Sequence, residues 1–109
     1  MNECLLTLIA TPELEERLVD WLLEASYEGF TTTQCHGHGV HTDRLSTAEQ
    51  VAGRQRQIAF WLQLREDEAG AVIQGLSKSF GGAGLHYWIT PVLAGGPIVS
   101  SAPGTTVDS

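Results

Sequence analysis

At 109 residues, 42% of them hydrophobic, the chain has the size and apolar content of one self-sufficient domain, which excludes bulk disorder. A formal charge of −7, from 13 acidic against 6 basic residues, argues against a nucleic-acid partner, whose phosphates would be repelled. Two cysteines, Cys4 and Cys35, make no disulfide framework, although a single bridge between them remains open. The first residues, MNECLLTLIATPE, carry no basic region, and their apolar run is too short for a signal segment or membrane span. A soluble cytoplasmic protein with no direct membrane insertion is the expectation.

Residues 3–9, ECLLTLI, are too few for a helix and include β-branched members, so they predict a strand. Thr11-Pro12-Glu13 reads as a helix start, with a hydroxyl cap, a proline in the first turn and acids behind it. Leu14, Leu18, Trp21, Leu22 and Ala25 then form one apolar stripe, and Gly29 is the expected stop. FTTTQCH at 30–36 has high strand propensity. RQRQIAFWLQL at 54–64 makes another strand, with Ile58, Phe60, Leu62 and Leu64 on one face and Gln57, Ala59, Trp61 and Gln63 on the other. A second helix is predicted over 66–80, with three acids at its start, an apolar stripe through Ala69, Val72, Ile73, Leu76 and Phe80, and Gly81-Gly82 as its end. LHYWITPV at 85–92 is the last strand, and His86 on it is read as a half-buried packing residue. The Gly/Pro/Ser/Thr-rich remainder predicts a flexible tail over 94–109.

The order β-α-β-β-α-β is the ferredoxin-like pattern: an α+β domain over 1–93, with a four-stranded antiparallel sheet and both helices on one face. Trp61 and Ala59 fall on the face opposite the aliphatics, and Tyr87 and Trp88 on opposite sides of the last strand. A sheet apolar on both faces predicts self-association.

Strands two and three should be neighbours, yet a segment far longer than a tight hairpin turn separates them. Over 37–53 this loop has glycines at both ends and, at Ser46-Thr47-Ala48-Glu49, an S-x-x-E capping pattern that predicts a short helix at about 47–52. At its start stands CHGHGVH, which holds His36, His38 and His41, three of the chain's four histidines. Imidazoles with a thiolate suit zinc, copper, nickel or cobalt, and the H-x-H spacing turns His36 and His38 to one side. Cys35 joins such a set only if the strand bends. A solvent-exposed, histidine-rich loop is the plain alternative. Arg54 and Arg56 alternate onto the face of Ile58 and are suited to a phosphate or carboxylate, or to pairing with Glu49 and the acidic first helix. No acid, base and nucleophile are brought together by spacing, so catalysis is not expected.

The element order, the long loop, the Gly37-His38-Gly39 start and the run Leu45-Ser46-x-x-Glu49-Gln50-Val51-x-Gly53-Arg54-x-Arg56 together resemble the PII signalling superfamily. Within it, the loop run is most similar to a small PII-like family often encoded beside heavy-metal efflux pumps of the resistance-nodulation-division type. The resemblance implies a homotrimer with ligand clefts between subunits, where PII proteins bind adenine nucleotides. It also implies a loop that engages a membrane transporter or enzyme through Leu45, Ser46, Glu49, Gln50 and Val51, with Gly37, Gly39, Arg54 and Arg56 at the cleft. Two departures weigh against ATP or ADP. GGAGLHYW replaces the G-D-G-K-type segment, and no basic residue follows Val92. The expected protein is therefore a non-catalytic PII-like regulator linked to heavy-metal efflux, sensing a transition metal through His36, His38 and His41 with Cys35 optional. A nucleotide- or anion-binding sensor at the arginine cleft, and a metal buffer with no regulatory target, are the alternatives.

Overall fold

In the computed structural model the described residues are 2–27, 29–38 and 54–100. Alternation of apolar side chains sets the first strand, β1 (Glu3–Ala10), whose Cys4, Leu6, Leu8 and Ala10 are all buried on one face. A 3₁₀ turn at Pro12–Leu14 follows and leads into α1 (Glu15–Glu24). The Thr11 hydroxyl makes no capping hydrogen bond, so proline geometry and the acids Glu13, Glu15 and Glu16 mark this helix start. Leu14, Leu18 and Leu22 are buried beneath α1, whereas Ala25 of the expected stripe is exposed.

The stop of α1 also differs from expectation. Ser26, not Gly29, adopts the left-handed backbone, with φ 71°. Tyr27 N–H donates to Leu22 O at 2.8 Å and Ser26 N–H to Leu23 O at 3.0 Å, the paired bonds of a Schellman motif. Tyr27 packs against the core next to it, which compensates for placing a side chain where glycine is usual.

β2 (Phe30–His38) and β3 (Arg54–Arg65) continue the chain into α2 (Glu66–Phe80), which matches the predicted span, and β4 (His86–Pro91) closes it. Arg65 N–H donates to Glu68 Oε1 at 3.1 Å at the start of α2, and the Arg65 guanidinium holds Asp67 at 3.2 Å. That contact keeps the Asp67 carboxyl below its ordinary value. The sheet order is β2-β3-β1-β4, antiparallel throughout the pairs β1–β3, β1–β4 and β2–β3. The predicted ferredoxin-like α+β fold is the one observed.

Register places Cys4, Leu6, Leu8 and Ala10 opposite Leu64, Leu62, Phe60 and Ile58. These rows, with Leu18, Leu22, Ala69, Val72 and Leu76, form the core between sheet and helices. α1 and α2 meet where the Trp21 ring lies over Gly75, and its indole N–H donates to Ser79 Oγ at 3.1 Å.

Among the described residues, no helix covers the other sheet face. On it Thr7 stands directly between Trp61 on β3 and Trp88 on β4. Thr7 is only 3% exposed, while Trp61 and Trp88 remain 38% and 46% exposed. Thr7 is thus buried in a row whose two flanking rings stay half-exposed. Among the described residues, no helix is long and apolar enough to cross a membrane.

Candidate functional site

β2 and β3 run on beyond the end of β1, where Ala10 pairs with Ile58, and form a two-stranded projection. On it Gln34 faces Ile58, Cys35 faces Gln57, His36 faces Arg56, Gly37 faces Gln55 and His38 faces Arg54. Because directly opposed residues share a side, His36, His38, Arg54 and Arg56 all stand on the helix side of the sheet, in line with Ile58. Cys35 and Gly37 stand on the other.

One expectation is corrected here. The strand stays regular through His38, so Gly37 is a strand residue and not the first residue of the loop. A Cβ on Gly37 would come within 2.6 Å of Gln57 Oε1, so the Gln57 side chain occupies the space a larger residue would need. The same regularity sets Cys35 on the face opposite His36 and His38. His41, Gly39, Leu45, Ser46, Glu49, Gln50, Val51 and the expected helix at 47–52 lie outside the described residues. Among the described residues, no group of three or more His, Cys, Asp or Glu side chains is placed to hold a metal ion.

The register brings together what the sequence presented as separate features. Each histidine faces an arginine, with Cβ atoms about 4.5–5.5 Å apart in such pairs. Guanidinium is charged at every ordinary pH and offers a fork of donors. A cation between His36 and His38 would lie beside two guanidiniums, whereas an anion there would be attracted by the guanidiniums of β3. The described part of the projection, 35–38 and 54–57, contains no acidic residue. On a chain of charge −7 it is a local positive patch.

At the same end of the sheet, where His86 pairs with Ile9, a cavity of about 420 Å³ opens between α2 and β4. Leu8, Ile73, Leu76, Phe80, Leu85 and Tyr87 form much of its wall. The chain turns beside it at Gly81-Gly82: Ala83 N–H donates to Phe80 O at 3.0 Å, with Gly81 at φ −57°, ψ 131° and Gly82 at φ 83°. This is a type II turn, whose third residue needs the positive φ that glycine supplies. His86 is not the half-buried packing residue expected. It is exposed, and its ring meets Trp88 edge-on with centroids 6.1 Å apart.

The cysteines differ in surroundings. Cys4 is 2% exposed, and burial, followed by the charges of Glu66, Glu3 and Glu68, raises its thiol above the ordinary 9.0. No disulfide joins it to Cys35. In a Cys35→Ser variant, the remaining thiol should react with a disulfide reagent only as denaturant unfolds the chain; prompt reaction in native buffer would contradict this burial. The raised folded value also has a sign. The unfolded chain loses this proton first, so the Cys4 contribution to stability is complete below about pH 9 and declines as pH rises further.

The family model for DUF3240, a protein family of unknown function, matches residues 1–99. The chain belongs to the DUF3240 family. A crystal structure of another DUF3240 protein, from Shewanella baltica OS155, is 22% identical with a TM-score of 0.72, over 91% of this chain and 99% of that one. CPII, a nitrogen regulatory PII-like protein from Thiomonas intermedia K12 solved with ADP, AMP and bicarbonate, is 20% identical with a TM-score of 0.67, over 90% of this chain and 98% of that one. No curated protein matches significantly. This DUF3240 chain therefore has the PII-like fold, and its paired His–Arg projection is where the long β2–β3 connection begins and ends.

Proposed function

We propose that this DUF3240 protein is a non-catalytic PII-like regulator that assembles as a homotrimer and binds a small anionic ligand at the base of its β2–β3 hairpin. The observation that carries the ligand class is the register placing His36 opposite Arg56 and His38 opposite Arg54. Guanidinium forks match the oxygens of phosphate and carboxylate groups, and imidazoles add donors beside them. The Thiomonas relative of the same fold was solved with ADP, AMP and bicarbonate, and nucleotide phosphates and bicarbonate are the chemistry such a pair of arginines would recognise. The half-exposed Trp61 and Trp88 flanking Thr7 support assembly through the open sheet face. Ligand binding at the hairpin base would be read by a partner there, which is the means of signalling.

A transition-metal sensor is the second reading, favoured by His36 and His38 sharing one side of β2. It draws its third ligand from His41, and a heavy-metal efflux transporter is the partner it implies.

Calorimetric titration separates the two. With ADP, AMP, bicarbonate and inorganic phosphate as probes, at least one should bind, and Arg54→Ala with Arg56→Ala should weaken it by roughly tenfold or more. If instead zinc, copper, nickel or cobalt binds, is lost in the triple histidine-to-alanine variant, and the anions do not bind, the metal reading replaces the anion reading.

A further inference from the structure

The chain leaves β4 at Pro91, and Val92 N–H donates to Glu3 O at 3.1 Å. Three residues later Gly95 lies so close to β3 that a Cβ on it would stand 2.8 Å from Gln63 Nε2. Gln63 pairs with Leu5, on the side of the sheet without helices. The segment therefore turns onto the open face from β4 and meets the Gln63 side chain of β3, one pleat repeat from the Trp61–Thr7–Trp88 row. Its apolar side chains nevertheless lack cover: Leu93 is 92% exposed, Ile98 99% and Val99 61%. An apolar strap and a half-covered tryptophan face thus lie side by side on one chain, and Ile98 makes no burying contact with its own face.

We propose that the 93–99 strap of one copy packs on the Trp61/Trp88 face of the next copy in the oligomer. This rests on the oligomer reading above and names the contact that closes it. A three-fold ring joins two different patches at every interface, and this chain supplies two: a strap carrying Leu93, Ile98 and Val99, and a face carrying Trp61 and Trp88. The strap is continuous with the face through Gly95 and Gln63, so copies meeting at the tryptophans bring each strap to a neighbour. A second copy is the occupant that matches both surfaces at once.

Light scattering after size exclusion on the full chain tests this, because all substituted positions are exposed and do not support the monomer's core. Wild type should be trimeric, and Ile98→Asp with Val99→Asp should raise the dissociation constant by roughly tenfold or more. The far-UV circular dichroism should be unchanged and the tryptophan emission shifted to longer wavelength. A variant trimer as stable as wild type, with unshifted emission, overturns the strap while leaving the oligomer intact. A wild-type chain that is monomeric at every concentration overturns the oligomer reading and the strap with it.

Discussion

Replacing Phe60 with alanine should lower the unfolding free energy by about 3–5 kcal/mol. Phe60 is 0% exposed and heads the fully buried side chains in volume. It sits on β3 between Leu8 of β1 and Thr32 of β2, and its ring meets Phe30 at 6.1 Å between centroids. Truncation removes the burial of a whole aromatic ring and leaves a cavity that three hydrogen-bonded strands cannot close around. Against a total of roughly 5–15 kcal/mol for a domain of this size, that is a large share. Denaturant titration at one fixed protein concentration, which holds any assembly term constant, gives the value. A loss below about 1 kcal/mol would mean that the core beneath β3 is looser than the burial describes. Phe60→Leu, which keeps most of the volume, should cost distinctly less.

Two glycines in α2 should respond to the same substitution in opposite directions. Gly70→Ala should stabilise by about 1 kcal/mol, because the site is exposed with nothing within 4 Å of an added Cβ, and alanine is the better helix former by that amount. Gly75→Ala gains the same backbone term but places its Cβ 2.7 Å from Trp21 Cζ2 and 2.9 Å from Cη2. The ring cannot simply lean away, since its N–H is bonded to Ser79 Oγ and the indole lies between α1 and α2. Overpacking of this kind costs about 1–3 kcal/mol, and losing the indole bond adds about 1 kcal/mol. The net should be a loss of about 1–3 kcal/mol. A double-mutant cycle with Trp21→Leu checks the cause: Gly75→Ala should become stabilising once the ring is gone. If it remains destabilising there, the clash with Trp21 is not its origin.

Much of the fold could be read from local pattern. The aliphatic alternation of 58–64 marked β3 and its buried face, and the acids at 66–68 with the stripe to Phe80 marked α2 to the residue. Those signals are local: a two-residue or 3.6-residue period names the face that turns inward whatever it packs against. Terminations were less legible. Ser26 took the left-handed position expected of Gly29, because the hydrogen bonds from Ser26 and Tyr27 and the packing of Tyr27 outweigh the cost of a side chain there. Likewise β2 ran on to His38, since pairing with β3 continued past the residues whose propensity suggested a strand.

The amino-acid sequence by itself determined the elements, their order, the ferredoxin-like arrangement and the presence of histidines and arginines at the two ends of one long connection. Only the tertiary structure decided that His36 faces Arg56 and His38 faces Arg54, that the strand stays regular through His38, and that Thr7 pairs with Trp61 on one side and Trp88 on the other. The reason lies in how strands pair. Period two fixes which residues share a face within a strand, but partners across a sheet depend on register, and register is set by contacts between residues far apart in the chain. A shift of one residue would send every histidine to the other side from its arginine, with the same sequence and the same elements. What holds this register is the burial of Phe60 and its neighbours, so the core that stabilises the domain is also what assembles the candidate site.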